Sequence, residues 1–551
     1  MAIFGLLSLA ILAHADSPLR ALVESGNLSE LRWPDFSSIR KDVATFYLSK
    51  GYSLVWTSDR VPTQQARSMI ALLQNGAAKG LDPEDYDGSR WARRLGHLRP
   101  IAAAPSEQEL AGFDLALTVS GMRYVAAVRM GRVNPRLFCF GLDVSQKNCD
   151  LSYIFSELAK SDDVAGFVDR LEPQFRGYRR TLRALQTYIK LAQEDDGELF
   201  PATKKPVEPG DPYPGVARLV RLLRRLGDLP AAAVVPGAYV EPLVSAVKHF
   251  QLRHGLDPDG RLGPATLSQL NTPLKYRVRQ IELTLERWRW VPSTFSQRPI
   301  VVNIPEFRLR ALNDRDEAEL EMKVVVGKAY RHQTPVFSNN MTHVIFRPYW
   351  NVPYSIQRAE LVPHLVKDPS YLYANDYEIV DARGKLAGGS GPDTIAELRS
   401  GTLAIRQRPG AKNALGLIKF MFPNEYNVYL HGTPAQALFS KSRRDFSHGC
   451  IRVEKPEELA EWVLRGMPEW TPDRIREAEN GKTLQVNLAR SIPVLILYGT
   501  AIVSESGEVS FFDDIYGHDA SLDEVLTHGY PYSGWQPPAV PRDRVPRRVT
   551  D

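Results

Sequence analysis

The apolar residues of this chain change period near residue 299, and the two patterns demand two kinds of packed layer. Upstream, Ala66, Met69, Leu72 and Leu73 recur at helical spacing in a run that stops at Gly80-Leu81-Asp82-Pro83. A second helix is predicted from about Phe113 to Met130. A third runs from Tyr276 to Trp290, with Val278, Ile281, Leu285 and Trp288 on one face. Downstream the pattern turns to short β-rich runs: 300–304, 322–326, 344–346, 427–430, 493–503 and 508–512, the last two joined at Ser506-Gly507. At 551 residues and 43% hydrophobic content, the chain exceeds one hydrophobic core and calls for two to four domains. The expected fold class is therefore α+β multidomain, helical first and mostly β afterwards.

Between these regions lies a linker, 195–214, where Pro, Gly and charged residues cluster without periodicity. After it, Val247, Phe250 and Leu267 read as core positions of a small helical unit whose turn is Asp257-Pro258-Asp259-Gly260. A polar, Gly-containing segment from Tyr354 to about Leu415 interrupts the strands. A structureless loop that long is expected only if it works as a lid or carries its own elements.

Residues 3–13 are almost wholly apolar, and Ala13-His14-Ala15 reads as a small-x-small cleavage site, although no Lys or Arg precedes the run. Residues 1–15 are thus expected to be an export signal, a short buried helix being the alternative; the run is too short to span a bilayer, and no uncharged run of about eighteen residues occurs elsewhere. The net charge of +5, from 69 basic and 64 acidic residues, is a slight excess and does not imply a nucleic-acid partner. Three cysteines occur, Cys139, Cys149 and Cys450. In an oxidising compartment a Cys139–Cys149 disulfide with Cys450 free is one expectation, and two unpaired buried thiols are the other.

The densest chemistry is Ser447-His448-Gly449-Cys450-Ile451-Arg452, preceded by Tyr429-Leu430-His431-Gly432-Thr433. A thiol transfers acyl groups as thiolate, which a neighbouring imidazole generates. Fifteen residues separate His431 from Ser447, so the two meet only if the chain folds back, as two adjacent strands joined by a loop would. Cys450 is the expected nucleophile and His431 its base, with a main-chain carbonyl fixing the imidazole tautomer. His448 is a candidate second proton carrier, and the Gly449 and Cys450 N–H groups are candidate oxyanion donors. Ser447 is expected to anchor the loop and Gly432 to bend the backbone after His431.

This constellation resembles the signature of the L,D-transpeptidases, the YkuD-type cysteine enzymes of bacterial cell walls, and the whole chain resembles their large YcbB-like subclass. The resemblance implies a helical scaffold domain (16–205) and a three-helix peptidoglycan-binding module (211–271). It also implies a helix returning to the scaffold (273–292), a catalytic domain (298–515) with a capping insertion (355–415), and a C-terminal tail (516–551). It assigns catalysis to Cys450 and His431. Tyr429, Trp350 and Asn351 would border a groove for stem peptides, and Arg452 would meet a carboxylate of the substrate or of the protein. The activity implied is 3→3 cross-linking of peptidoglycan stem peptides through a thioester. It is periplasmic, open to carbapenem acylation, and carried out by a monomer with no cofactor, other wall synthases being further candidate partners.

Competing readings are an L,D-carboxypeptidase or endopeptidase, attachment of a lipoprotein to the wall, and a non-catalytic wall-binding scaffold. Zinc ligation by His431, His448 and Cys450 would need a fourth ligand, no other cysteine lies nearby in sequence, and the Ser-His-Gly-Cys order is unlike paired-ligand spacing. Ser245-Ala246-Val247-Lys248 matches a serine-acylase tetrapeptide but falls inside the helical module. The run Lys441, Arg443 and Arg444 is expected to be a solvated loop.

Overall fold

A computed structural model describes residues 17–98, 104–144, 147, 150–329, 332–389 and 391–529. The expected signal, Cys149 and the proline-rich end of the chain lie outside them. The described chain divides into two units, 17–254 with 258–294 and 499–529, and 295–498 with the short stretch 255–257. Among the described residues no helix is long and apolar enough to cross a membrane.

In the first unit the helix Glu107–Met130 is buried over most of its length, as its nearly continuous apolar run requires. It begins six residues before the predicted start. Ser106 and Glu109 form a capping box, so the polar first turn belongs to the helix. The helix Leu274–Trp288 packs against Arg176–Gln193 through Tyr178, Leu185, Ile281 and Leu285. Trp288 meets Phe175, with ring centroids 6.1 Å apart, and so is a packing residue.

Two boundaries differ from expectation. The late hairpin, Ala501–Val503 with Val509–Phe511, does not join the catalytic strands. It is a separate two-stranded sheet whose apolar face (Ala501, Val503, Val509, Phe511) completes the core beneath the helices Arg176–Gln193 and Leu274–Trp288. The expected tail also begins with the helix His518–His528. Leu522, Val525 and Leu526 are buried there, and Asp519 pairs with Arg287. Three apolar positions at helical spacing outweigh its polar composition.

The small module consists of Val216–Leu226, Leu243–Arg253 and Pro264–Leu270 around Leu219, Leu223, Val247, Phe250 and Leu267. Ser245 Oγ donates to Glu241 at 2.6 Å within its own helix, which accounts for that serine locally.

The second unit is built on nine strands: β1 Ile300–Asn303, β2 Arg308–Leu312, β3 Ala318–Gly327, β4 Phe337–Phe346, β5 Ile418–Met421, β6 Leu430–His431, β7 Asp445–Ser447, β8 Ile451–Val453 and β9 Leu484–Leu497. Their order is β7-β3-β8-β6-β5-β4-β9-β1-β2, and β2 also pairs with β3, so eight strands close on themselves. Closure leaves an inner face of Val302, Leu309, Val324, Phe420, Leu430 and Ile451, all fully buried. The strand predicted over 427–430 shrinks to Leu430–His431, because Asn427 takes a positive φ of 54° and breaks the extended run.

The 350–415 segment carries its own three-stranded sheet (Trp350–Asn351, Ala404–Gln407, Tyr377–Val380) and the helices Val362–Lys367 and Pro392–Ser400. They enclose a core of Leu361, Val362, Leu365, Leu398 and Ile405. Buried Gln357 binds the Leu398 and Leu403 carbonyls and accepts from the Ile405 N–H.

Candidate active site

Three strands set the site. In β5 and β6, which run antiparallel, Lys419 lies opposite His431; in β6 and β8, which run parallel, His431 lies opposite Arg452. Residues in register share a face, and alternation puts Leu430, Ile451, Ile418 and Phe420 on the other, buried one. Tyr429 and Cys450 lie just ahead of the two strands, each two positions before His431 and Arg452, and continued alternation puts them on the same side; the Tyr429 and His431 rings lie 5.6 Å apart. Ile451 N–H donates to the Tyr429 carbonyl at 3.1 Å and fixes that register. The thiol and the imidazole therefore emerge from neighbouring strands on one side of the sheet, as the fold-back required.

His431 is 4% exposed, and its Nδ1 donates to the Gly432 carbonyl at 2.6 Å. A carbonyl only accepts, so Nδ1 carries the proton and Nε2 keeps its lone pair. Burial, reinforced by the charge of Arg452, pushes the imidazole down to about 3, and the ring is neutral at ordinary pH. Burial raises the Cys450 thiol, while hydrogen bonds with Tyr429 and the charges of Lys419 and Arg452 pull it back. The resting pair is thus a neutral ring and a neutral thiol. Close behind His431, Gly416 (φ +65°) approaches so tightly that a Cβ there would lie 2.7 Å from the Gly432 carbonyl carbon.

The nucleophile loop is held from within. Ser447 Oγ donates to the Cys450 carbonyl at 2.5 Å and accepts from the Gly449 N–H at 3.1 Å. The Gly449 N–H, expected to face an oxyanion, is therefore engaged inside the loop, whereas among the described residues no acceptor holds the Cys450 N–H. Gly449 itself has φ +117°, and a Cβ there would meet nothing closer than 3.8 Å. Glycine is required for its backbone conformation, not for the access a missing Cβ gives. Buried Thr334 accepts from the Gly327 N–H at 2.9 Å and donates to the Gly449 carbonyl at 2.7 Å, tying the loop to the end of β3.

His448 is engaged by the capping segment. Its Nε2 donates to Glu360 Oε1 at 2.6 Å, and its ring meets that of His332 edge-on at 4.9 Å. Trp350 packs against Tyr377 in the small sheet and Asn351 is exposed; among the described residues no contact joins either to Cys450. Arg444, expected in a solvated run, is buried and donates to the Val324 and Phe307 carbonyls, closing the end of the barrel. Cys139 is exposed, and its expected partner Cys149 is not among the described residues.

Three stretches of the chain match known family models. Residues 297–472 match the family model described as the L,D-transpeptidase catalytic domain. The chain carries a YkuD-type L,D-transpeptidase catalytic domain. A scaffold domain matches 41–185, and a model described as "Putative peptidoglycan binding domain" matches 212–270. A Haemophilus influenzae protein named "Putative L,D-transpeptidase" is 32% identical over 246 residues, 44% of this chain and 49% of that protein. The chain thus spans about half the length of that curated relative. The crystal structure of an L,D-transpeptidase from Xylanimonas cellulosilytica is 17% identical over 54% of this chain and 99% of that one. Its TM-score of 0.18 gives the likeness no weight.

Within the L,D-transpeptidase domain, sequence reading missed Lys419, Glu360 and Thr334. Lys419 had a signal, a lone cation between the apolar residues Ile418 and Phe420 of one strand. Glu360 and Thr334 had none, being 88 and 115 residues from their partners.

Proposed function

We propose that this chain is a peptidoglycan L,D-transpeptidase forming 3→3 cross-links through a Cys450 thioester. The observation that carries the reading is the register of the parallel β6–β8 pair, which sets His431 opposite Arg452, two residues after Cys450. The thiol proton passes to His431 Nε2 as the sulfur attacks the amide carbonyl that follows an L-centre in a donor tetrapeptide. The Cys450 N–H stabilises the resulting oxyanion. As the C–N bond breaks, the imidazolium returns the proton to the departing terminal D-residue, leaving the stem as a thioester. An acceptor amine, the side-chain amine of a neighbouring diaminopimelate, then attacks the thioester, and the thiol is restored.

Arg452 pairs with no carboxylate among the described residues, which suits it to a substrate carboxylate; Tyr429 borders the same ground. The 350–415 segment acts as a cap whose Glu360 reaches the nucleophile loop at His448. The module at 212–270 holds the wall polymer, and the chain works outside the cytoplasm, in the periplasm. The cysteine is also the expected point of carbapenem acylation.

Incubation of the protein with tetrapeptide muropeptides, followed by mass analysis, tests the reading. Cross-linked dimers that vanish in Cys450→Ala support it. Tripeptides alone would replace transfer by hydrolysis, and full turnover by Cys450→Ala would leave only a binding scaffold.

A further inference from the structure

Lys419 is buried on both flanks by Ile418 and Phe420, yet its own side chain emerges on the reactive face opposite His431. Its Nζ lies 3.9 Å from the centroid of the Tyr429 ring, a close cation–π contact. Tyr429 in turn lies next to the thiol and lowers its pKa, while the Cys450 Sγ itself donates to the Asn427 carbonyl at 3.7 Å. Among the described residues no carboxylate pairs with Lys419. A half-buried ammonium without a counter-ion is costly, and burial lowers its own basicity.

The charges around the sulfur explain what such a cation does. His431 faces it from β6 and Tyr429 from just ahead of that strand, Lys419 from β5 and Arg452 from β8. On its own loop His448 is bound to Glu360, with His332 beside it. His431 is neutral at rest and has no charge to offer a thiolate. We propose that Lys419 is a fixed positive charge that stabilises the Cys450 thiolate, its ammonium held in place by the Tyr429 ring. This rests on Cys450 being the nucleophile and adds a residue that acts on the sulfur through its field.

The test is the pH dependence of iodoacetamide alkylation at Cys450, followed by peptide mapping, in the full chain and in Lys419→Met, Lys419→Gln and Lys419→Arg. The two neutral variants should move the profile to higher pH and slow alkylation at pH 7 by roughly three- to tenfold, a half to one unit of thiol acidity. Lys419→Arg keeps the charge and should restore the parental profile. Superimposed profiles overturn the proposal, since the charge would then serve the substrate. Neutral variants that lose the parental melting transition overturn it as well, making Lys419 a residue of the fold. Because alkylation needs no muropeptide, either result is separable from failure of the transpeptidase reading, which Cys450→Ala turnover reports.

Discussion

His431 stands directly across the β6–β8 pair from Arg452, and that register puts a buried neutral imidazole beside a permanent cation. A ring so placed takes up a proton only while another bond is being made, which is the behaviour of a general base in a concerted step. His431→Gln retains a polar side chain of similar reach but cannot accept and return the proton. Thioester formation should fall about a hundred- to ten-thousandfold, read as acyl-enzyme by intact mass, while the fold persists by circular dichroism.

The acidities of the pair predict an unusual pH profile. His431, held down to about 3, does not titrate near 6.5, and the Cys450 thiol is raised by burial. Alkylation of Cys450 should rise through a single midpoint above the ordinary thiol range. An inflection near 6.5 that disappears in His431→Gln would count against this.

The same depression makes stability depend on pH. An imidazole whose folded acidity lies near 3 binds fewer protons folded than unfolded between there and about 6.5. Its contribution is fully present above 6.5 and is lost as pH falls toward 3. The melting temperature of the L,D-transpeptidase domain should therefore drop on acidification from 6.5 to 4. His431→Gln should flatten that drop.

Gly449→Ala isolates backbone strain. There is room for the methyl group, but φ +117° lies where an alanine is strained by about 1–3 kcal/mol. The loop is expected to relax by breaking the Ser447 Oγ bonds to Cys450 and Gly449. Denaturant melts should show that loss, together with a fall in acylation rate larger than stability alone explains.

Glu360→Ala removes the link between the capping segment and His448. Both partners retain solvent exposure, so global stability should change by less than about 1 kcal/mol. Hydrogen exchange over 354–361 should nevertheless quicken, because this contact fastens that stretch to the nucleophile loop.

The sequence alone determined the kinds of element and the identity of the reacting groups. Hydrophobic period is local, so the helices around Met69, Ile281 and Phe250 and the strands at Val302 and Val324 were legible from a dozen residues each. The Ser447–Arg452 block carries its chemistry in its own side chains. What tertiary structure decided is which distant groups share the face with the sulfur. Closing β2 onto β3 and setting β5, β6 and β8 side by side brought Lys419 opposite His431. It brought Thr334 to Gly449 from 115 residues away, and the cap brought Glu360 to His448. It also assigned the Ala501–Phe511 hairpin to the helices, because an apolar face joins whichever core it can complete. Burial made the imidazole neutral, and burial is a property of the folded whole, which a one-dimensional pattern does not contain.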